Sequence, residues 1–250
     1  MTAIYREISI TTFSNRSSEA ELEALRSLFR WASVAAFVIM FGMLVHVMNA
    51  AWLEPTYLGF VDKTKDYGDM AKIQNAVEAC TLSEPQLCSF KYSGVMHMVN
   101  GLLFLFLAVA VQVLFRRSNP LLGQLAFVAG LLAGLGFFTT GVSDIPGTAY
   151  ASLLRELNPE YNDTILLIST MIRGIANMVA ITGLGFFALF IGLAALRSGM
   201  FSKWGAYVGF LLLWPGIGGL VNPIAGFTYL GIVVPWLLWL GLQFRSLNKG

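Results

Sequence analysis

Residues 95–115 read VMHMVNGLLFLFLAVAVQVLF, and Arg116-Arg117 follow at once. The run contains no Asp, Glu, Lys or Arg. As a helix rising about 1.5 Å per residue it crosses about 30 Å, the thickness of a bilayer's hydrocarbon core. Apolar residues follow one another without the strict alternation of a barrel strand, so the span is a helix. Five further stretches read the same way: Trp31 to about Leu53, about Leu121 to Gly141, Thr164–Leu196, about Trp204–Val221 and about Ile224–Phe244. The stretch from Thr164 is longer than one bilayer requires, and its later two-thirds are expected in the membrane. Asn222-Pro223 is a turn signal between the last two.

Composition agrees. The chain has 250 residues, 56% hydrophobic and 12% charged, with a mean hydropathy of +0.69. Average soluble domains carry about 25% charged residues. So apolar a chain in water would expose large sticky patches. Soluble enzymes and disordered chains are excluded, and a net charge of +2 gives no nucleic-acid signal. The expectation is an all-α, polytopic six-helix transmembrane bundle forming a single domain over residues 1–250. Residues 1–29 form a cytoplasmic segment, and 54–92 and 145–163 are extracytoplasmic loops that cap the bundle.

Basic residues orient it. With both termini inside, ten of the 16 Lys and Arg fall on the cytoplasmic side, five in outer loops, and Arg173 in or beside a span. Arg116-Arg117 and the Arg197–Lys203 stretch lie in short loops, where this bias is most informative. The first span is expected to act as a signal anchor, without a cleavable leader before it. Ser18-Glu19-Ala20-Glu21 reads as a capping box opening the helix that leads into it.

The two cysteines, Cys80 and Cys88, both fall in the first outer loop. An oxidising compartment and seven intervening residues predict a disulfide. A redox-active pair lacks the Cys-x-x-Cys spacing. In the second loop Ala149, Leu153, Leu154 and Leu157 recur at helical spacing before Asn158-Pro159, predicting a short amphipathic surface helix. Trp31, Trp52, Trp204 and Tyr229 fit an interfacial aromatic belt, whereas Trp214, Trp236 and Trp239 lie deeper and are expected to pack. Pro215 and Pro235 are expected to kink their spans. Gly130, Gly134 and Gly136, then Gly183, Gly185 and Gly192, then Gly216, Gly218 and Gly219, are small-residue stripes suited to close helix packing, within the bundle or across a dimer.

Polar residues inside spans are costly and mark function. They are His46 and Asn49, His97 and Asn100, Thr139, Thr140 and Asp144, then Arg173 and Asn177. His46 lies about 22 Å up from Trp31 and His97 about 27 Å up from Phe115, both toward the outer face. His46/Asn49 and His97/Asn100 are i,i+3 pairs and Arg173/Asn177 an i,i+4 pair, so each pair shares a helix face. Inward-facing, they enclose a polar pocket opening outward, with Asp144 the partner of Arg173. Two other roles stay open. The side chains can snorkel to water at the interface, or His46 and His97 can serve as the two axial ligands of a b-type haem. Two histidines and a distant carboxylate fall short of a catalytic metal's ligand set. Few polar groups lie at mid-depth and no repeat is evident, which argues against a transporter. No nucleotide loop or nucleophile motif is present.

The stretch Leu196-Arg197-Ser198-Gly199-Met200-Phe201-Ser202-Lys203-Trp204, followed by a Gly- and Pro-rich span and Pro235-Trp236-Leu237-Leu238-Trp239, resembles the last three spans of an uncharacterised bacterial six-span membrane family, over about residues 165–245. The resemblance implies a fold and a bacterial cytoplasmic membrane, and no chemistry or cofactor. The expected function is non-catalytic. Either a small amphipathic or lipid-like ligand binds at His46, Asn49, His97, Asn100, Asp144, Arg173 and Asn177, or the chain is an accessory subunit of a membrane complex. The expected partners are membrane lipids, other subunits or a second copy. The alternative is the haem electron carrier.

Overall fold

The computed structural model describes residues 19–48, 89–221 and 228–248, all but a few of them helical. The elements are α1 (Glu19–Met48), α2 (Ser89–Phe115), α3 (Pro120–Val142), a π-helical turn (Ser143–Gly147), α4 (Thr148–Leu157), a 3-10 turn (Pro159–Tyr161), α5 (Asn162–Ser198), α6 (Lys203–Val221) and α7 (Tyr229–Leu247). Among the described residues, five helical runs are long and apolar enough to cross a membrane: those containing α1, α2, α3, α5 and α7. The chain is a multi-pass membrane protein. The sequence predicts six spans; α6, 19 residues beginning at Lys203, lies outside these five but is packed into the same bundle. Cys80, Cys88, Asn49, Trp52 and the Asn222-Pro223 turn fall outside the described residues, as does most of the first outer loop.

Local chemistry sets the helix ends. Pro120 occupies the first turn of α3, where its missing N–H costs nothing. Gly199 ends α5 in the left-handed conformation, φ 66°, and donates its N–H to the Ala195 carbonyl. The 37 residues of α5 extend about 55 Å, well beyond a hydrocarbon core.

The helices pack in a closed ring in the order α1, α2, α3, α5, α6, α7, with α7 returning to α1. An aromatic column fills its centre. Phe104 stacks on Phe137 and meets Phe187 edge-on, and Phe187 meets Trp236 edge-on. At the end where α1 begins, Phe29, Phe115, Phe201, Trp239 and Phe244 form a second cluster. Large apolar side chains also cover the outside, Phe41 being 63% exposed and Leu102, Leu132, Ile175 and Leu211 similarly placed. In water this surface would be a liability; in lipid it is the solvated face.

Glycine lets the backbones touch. A Cβ on Gly136 of α3 would lie 2.4 Å from the Ala180 nitrogen of α5, and one on Gly183 would lie 2.5 Å from the Ala133 nitrogen of α3. Gly101 and Gly141 similarly press against α3 and α2 backbone. Gly130, Gly134, Gly185, Gly192 and Gly216 also meet neighbours in the same chain, so these stripes serve intramolecular packing. Thr182 Oγ1 donates to the Gly216 carbonyl at 2.8 Å, tying α5 to α6 beside Pro215.

Two aromatic assignments change. Tyr229 is buried against Phe137 and is no belt residue, and Trp214 is 73% exposed and faces outward. Trp236 and Trp239 do pack inside. The Trp239 ring lies over Gly205, and its Nε1 donates to Ser202 Oγ at 2.7 Å. Trp239→Phe removes that bond and part of the ring contact. The unfolding free energy measured by denaturant titration in micelles should fall by about 1–2 kcal/mol.

The segment 145–163, expected as a loop, is helical almost throughout. The predicted surface helix is present as α4, whose end is capped by Asn158 Nδ2 donating to the Leu154 carbonyl at 2.9 Å. It continues from α3 instead of starting afresh. Proline inside an α-helix removes a donor and crowds the preceding turn. Here the chain absorbs Pro146 in a π turn, and the hydroxyls of Ser143 and Thr148 donate to the carbonyls of Thr139 and Ser143.

Candidate functional site

The ends of α1 and α3 and the starts of α2 and α5 meet at the end of the bundle opposite Arg26, Arg116, Arg197 and Lys203. Four helices bring polar side chains together there. His46, in the last turn of α1, shares a hydrogen bond between Nδ1 and Ser93 Oγ at 3.1 Å. Its ring lies 4.8 Å, centroid to centroid, from that of His97 on α2, tilted by 55°. His97 Nδ1 is 3.1 Å from Asp144 Oδ2. A carboxylate only accepts, so His97 Nδ1 carries the proton and donates it to Asp144. Arg173 Nε on α5 donates to the other carboxylate oxygen, Asp144 Oδ1.

Asp144 is therefore the bridge. Its carboxylate is buried, and both oxygens are engaged by groups from two different helices. The π turn puts it there. A π turn accommodates an extra residue and redirects the side chains that follow, and such turns recur at functional sites. Gly94 of α2 makes room on the facing side: a Cβ there would lie 3.0 Å from Asp144 Cβ and 2.7 Å from Ile145. A buried carboxylate bonded on both oxygens avoids the cost of an unpaired charge in a low-dielectric setting.

Asn100 lies one turn along α2 from His97 and is 1% exposed. Among the described residues its amide oxygen is buried with no hydrogen-bond partner. Gly42 of α1 admits the amide: a Cβ there would lie 2.7 Å from Oδ1. Beneath, His97 stacks on Phe137, which closes the polar cluster off from the aromatic column. Thr140 is buried nearby on α3 and bonded to the Gly136 carbonyl, and Thr139 is exposed. Asn177 is half-buried one turn beyond Arg173.

Six of the seven residues proposed from sequence lie in the described part, and five of them form or adjoin one cluster: His46, His97, Asn100, Asp144 and Arg173. Asn177 shares their helix face without a place in the hydrogen-bond chain. Sequence reasoning missed Ser93, which lies one turn before His97 at i−4 and just outside the apolar run. It also missed Gly42, whose signal was its i+4 spacing to His46.

A haem held between the two histidines needs a different spacing. A metal ion stands about 2 Å from each imidazole nitrogen it binds, and trans ligands flank it on opposite sides. Ring centroids 4.8 Å apart leave no room for an iron and its porphyrin between them. These residues do not fit that group as arranged. Among the described residues no cluster of three or more His, Cys, Asp or Glu side chains is placed to hold a metal ion. At the opposite end of the bundle Gln112, Val113, Arg116, Pro120 and Gln124 line a separate cleft of about 270 Å³.

No family model matches the chain, and no curated protein or solved structure matches it either. The functional reading rests on the site itself.

Proposed function

We propose that this membrane protein is a non-catalytic binder that holds the polar head of a small amphipathic or lipid-like molecule at the His46–Arg173 end. That end faces out of a bacterial cytoplasmic membrane, and both termini lie inside. The basic residues gathered at the opposite end support this orientation. One observation carries the binding reading. Asn100 keeps a carbonyl oxygen buried and unpaired one turn from His97, although a membrane interior penalises every unspent polar atom. A structural cluster would close on itself; among the described residues this one leaves that position without a partner.

Native mass spectrometry of the full chain released from membranes tests the proposal. Wild type is expected to retain an amphiphile as a discrete mass adduct, and His97→Ala and Arg173→Ala to lose it. Retention unchanged in both variants sinks the pocket. A partner subunit recovered in mild detergent, with no adduct, favours the accessory role instead. A Soret band in the purified protein would reinstate the haem reading.

We also propose that Cys80 and Cys88 form a disulfide in the loop joining α1 to α2. Alkylation of the unreduced, unfolded protein should leave both unlabelled, and prior reduction should let both react. Labelling without reduction would show free thiols.

A further inference from the structure

The cleft at the opposite end of the bundle has a chemistry of its own. It lies where α2 ends and α3 begins, and Gln112, Val113, Arg116, Pro120 and Gln124 line it. Gly123 brings the two helices together beside it: a Cβ there would lie 3.2 Å from Phe115 Cβ and 3.6 Å from the Gln112 carbonyl oxygen. Gln112 and Arg116 are i,i+4 on α2, and Gln124 follows Pro120 by four on α3, so each helix gives the cleft one continuous face. Arg116 carries its charge at every physiological pH. None of residues 89–143 is Asp or Glu, so neither helix supplies a counter-charge. Among the described residues no side-chain hydrogen bond or ion pair engages Arg116, Gln112 or Gln124. The outer cluster differs, because Asp144 there already pairs with Arg173.

A guanidinium fork matches the oxygen spacing of a phosphate, and the two glutamine amides add N–H donors beside it. The volume, about 270 Å³, falls just below the ~300–1,000 Å³ of small-ligand sites, so it admits a head group and not a whole lipid. The same two faces then turn apolar. Val109 lies three residues before Gln112 on α2, Val128 four residues after Gln124 on α3, and both are exposed. Arg116 directly follows the apolar run that ends α2 at Phe115, so the cleft sits at the membrane surface and the valines in the hydrocarbon. A free phosphate would use only the polar part; a phospholipid uses both. We infer that this cleft binds an anionic phospholipid, with Arg116 paired to its phosphate, Gln112 and Gln124 donating to the head group, and the acyl chains lying along α2 and α3. Basic pockets at the cytoplasmic ends of membrane helices recognise anionic head groups in this way. The site is separate from the outer one, and neither reading needs the other.

Two lipids with the same chains test this: dioleoyl phosphatidylglycerol, which is anionic, and dioleoyl phosphatidylcholine, which has a phosphate but no net charge. Each is titrated into the full chain in detergent, and bound copies are counted by native mass spectrometry. One phosphatidylglycerol is expected to bind saturably, with phosphatidylcholine at least about tenfold weaker. Arg116→Gln should weaken phosphatidylglycerol at least about tenfold, the loss typical of a charge-assisted hydrogen bond. Arg197→Gln, an exposed arginine at the same end of the bundle but outside the cleft, should change it less than about twofold. Equal affinity for the two lipids on wild type overturns the proposal. Equal losses in the two arginine variants overturn it too, since they show an attraction spread over the basic surface, as for arginines that only set topology. Glycerol 3-phosphate supplies the phosphate without chains. Its failure to displace the lipid at equal concentration supports a lipid occupant, and full displacement overturns that choice in favour of a free phosphate compound. If Arg116→Gln does not fold, Gln124→Leu should still weaken phosphatidylglycerol by about threefold, and unchanged binding there overturns the site. The adduct at the outer end is told apart by its variant, being lost in His97→Ala, whereas this one is lost in Arg116→Gln.

Discussion

Asp144→Leu should be among the most damaging single substitutions in the chain. It strips the carboxylate that joins His97 of α2 to Arg173 of α5 across the end of α3, leaving both facing an apolar side chain. Removing one partner of a buried pair costs about 3–5 kcal/mol. Here the Arg173 side chain is 37% exposed and recovers part of its solvation, so a loss of about 2–3 kcal/mol is expected. The measurement is denaturant unfolding of the full chain in micelles. The double substitution Asp144→Leu with Arg173→Leu should recover most of that loss, because replacing both charges by apolar groups removes the uncompensated one. A double variant as unstable as the single would show that the pair is not the source of the effect.

Gly136→Leu should be at least as severe, for a different reason. A Cβ at Gly136 meets the Ala180 nitrogen at 2.4 Å, its Cα at 2.7 Å and the Ala176 carbonyl oxygen at 2.8 Å. All three are backbone atoms of α5, which cannot rotate away as a side chain would. The two helices must separate, opening the aromatic column around Phe137 and Phe187. Overpacking of cores costs about 1–3 kcal/mol, and a clash with helix backbone belongs at or above the upper end. In lipid, where tight packing holds helices together, that loss has little else to offset it. Gly174→Ala is the matched control. No neighbouring helix or side chain comes within 4 Å of its Cβ position, so this helical glycine should tolerate alanine and gain about 0.5–1 kcal/mol. Equal losses at Gly136 and Gly174 in the same unfolding assay would contradict the packing described.

Most of the architecture was legible because the bilayer imposes lengths. Runs such as 95–115 have to be helical, and the double-Arg and Arg-Ser-Gly turns between them are short. The sequence also named Asp144 as the partner of Arg173, and the two do pair. What stayed hidden was rotation. These helices are apolar all round, so periodicity does not say which face is inward. That is why Tyr229, read as a belt residue, proved buried, and why Trp214, read as deep, faces outward. The π turn was hidden for another reason. Ser143-Asp144-Ile145-Pro146-Gly147 contains both residues that usually end a helix, yet the turn stays helical, with neighbouring hydroxyls bonded to its carbonyls and Gly94 packed against it. His97 bonding to Asp144 follows from that turn and was not readable without it.

The most direct test of the central claim is a high-resolution cryo-electron microscopy map of the full chain in nanodiscs prepared from its native lipids. The predicted map shows Asp144 bridging His97 and Arg173, His46 over His97, and non-protein density within hydrogen-bonding distance of Asn100 Oδ1. A map in which Asp144 and His97 point to separate faces, or in which Asn100 bonds only to its own chain, would contradict it.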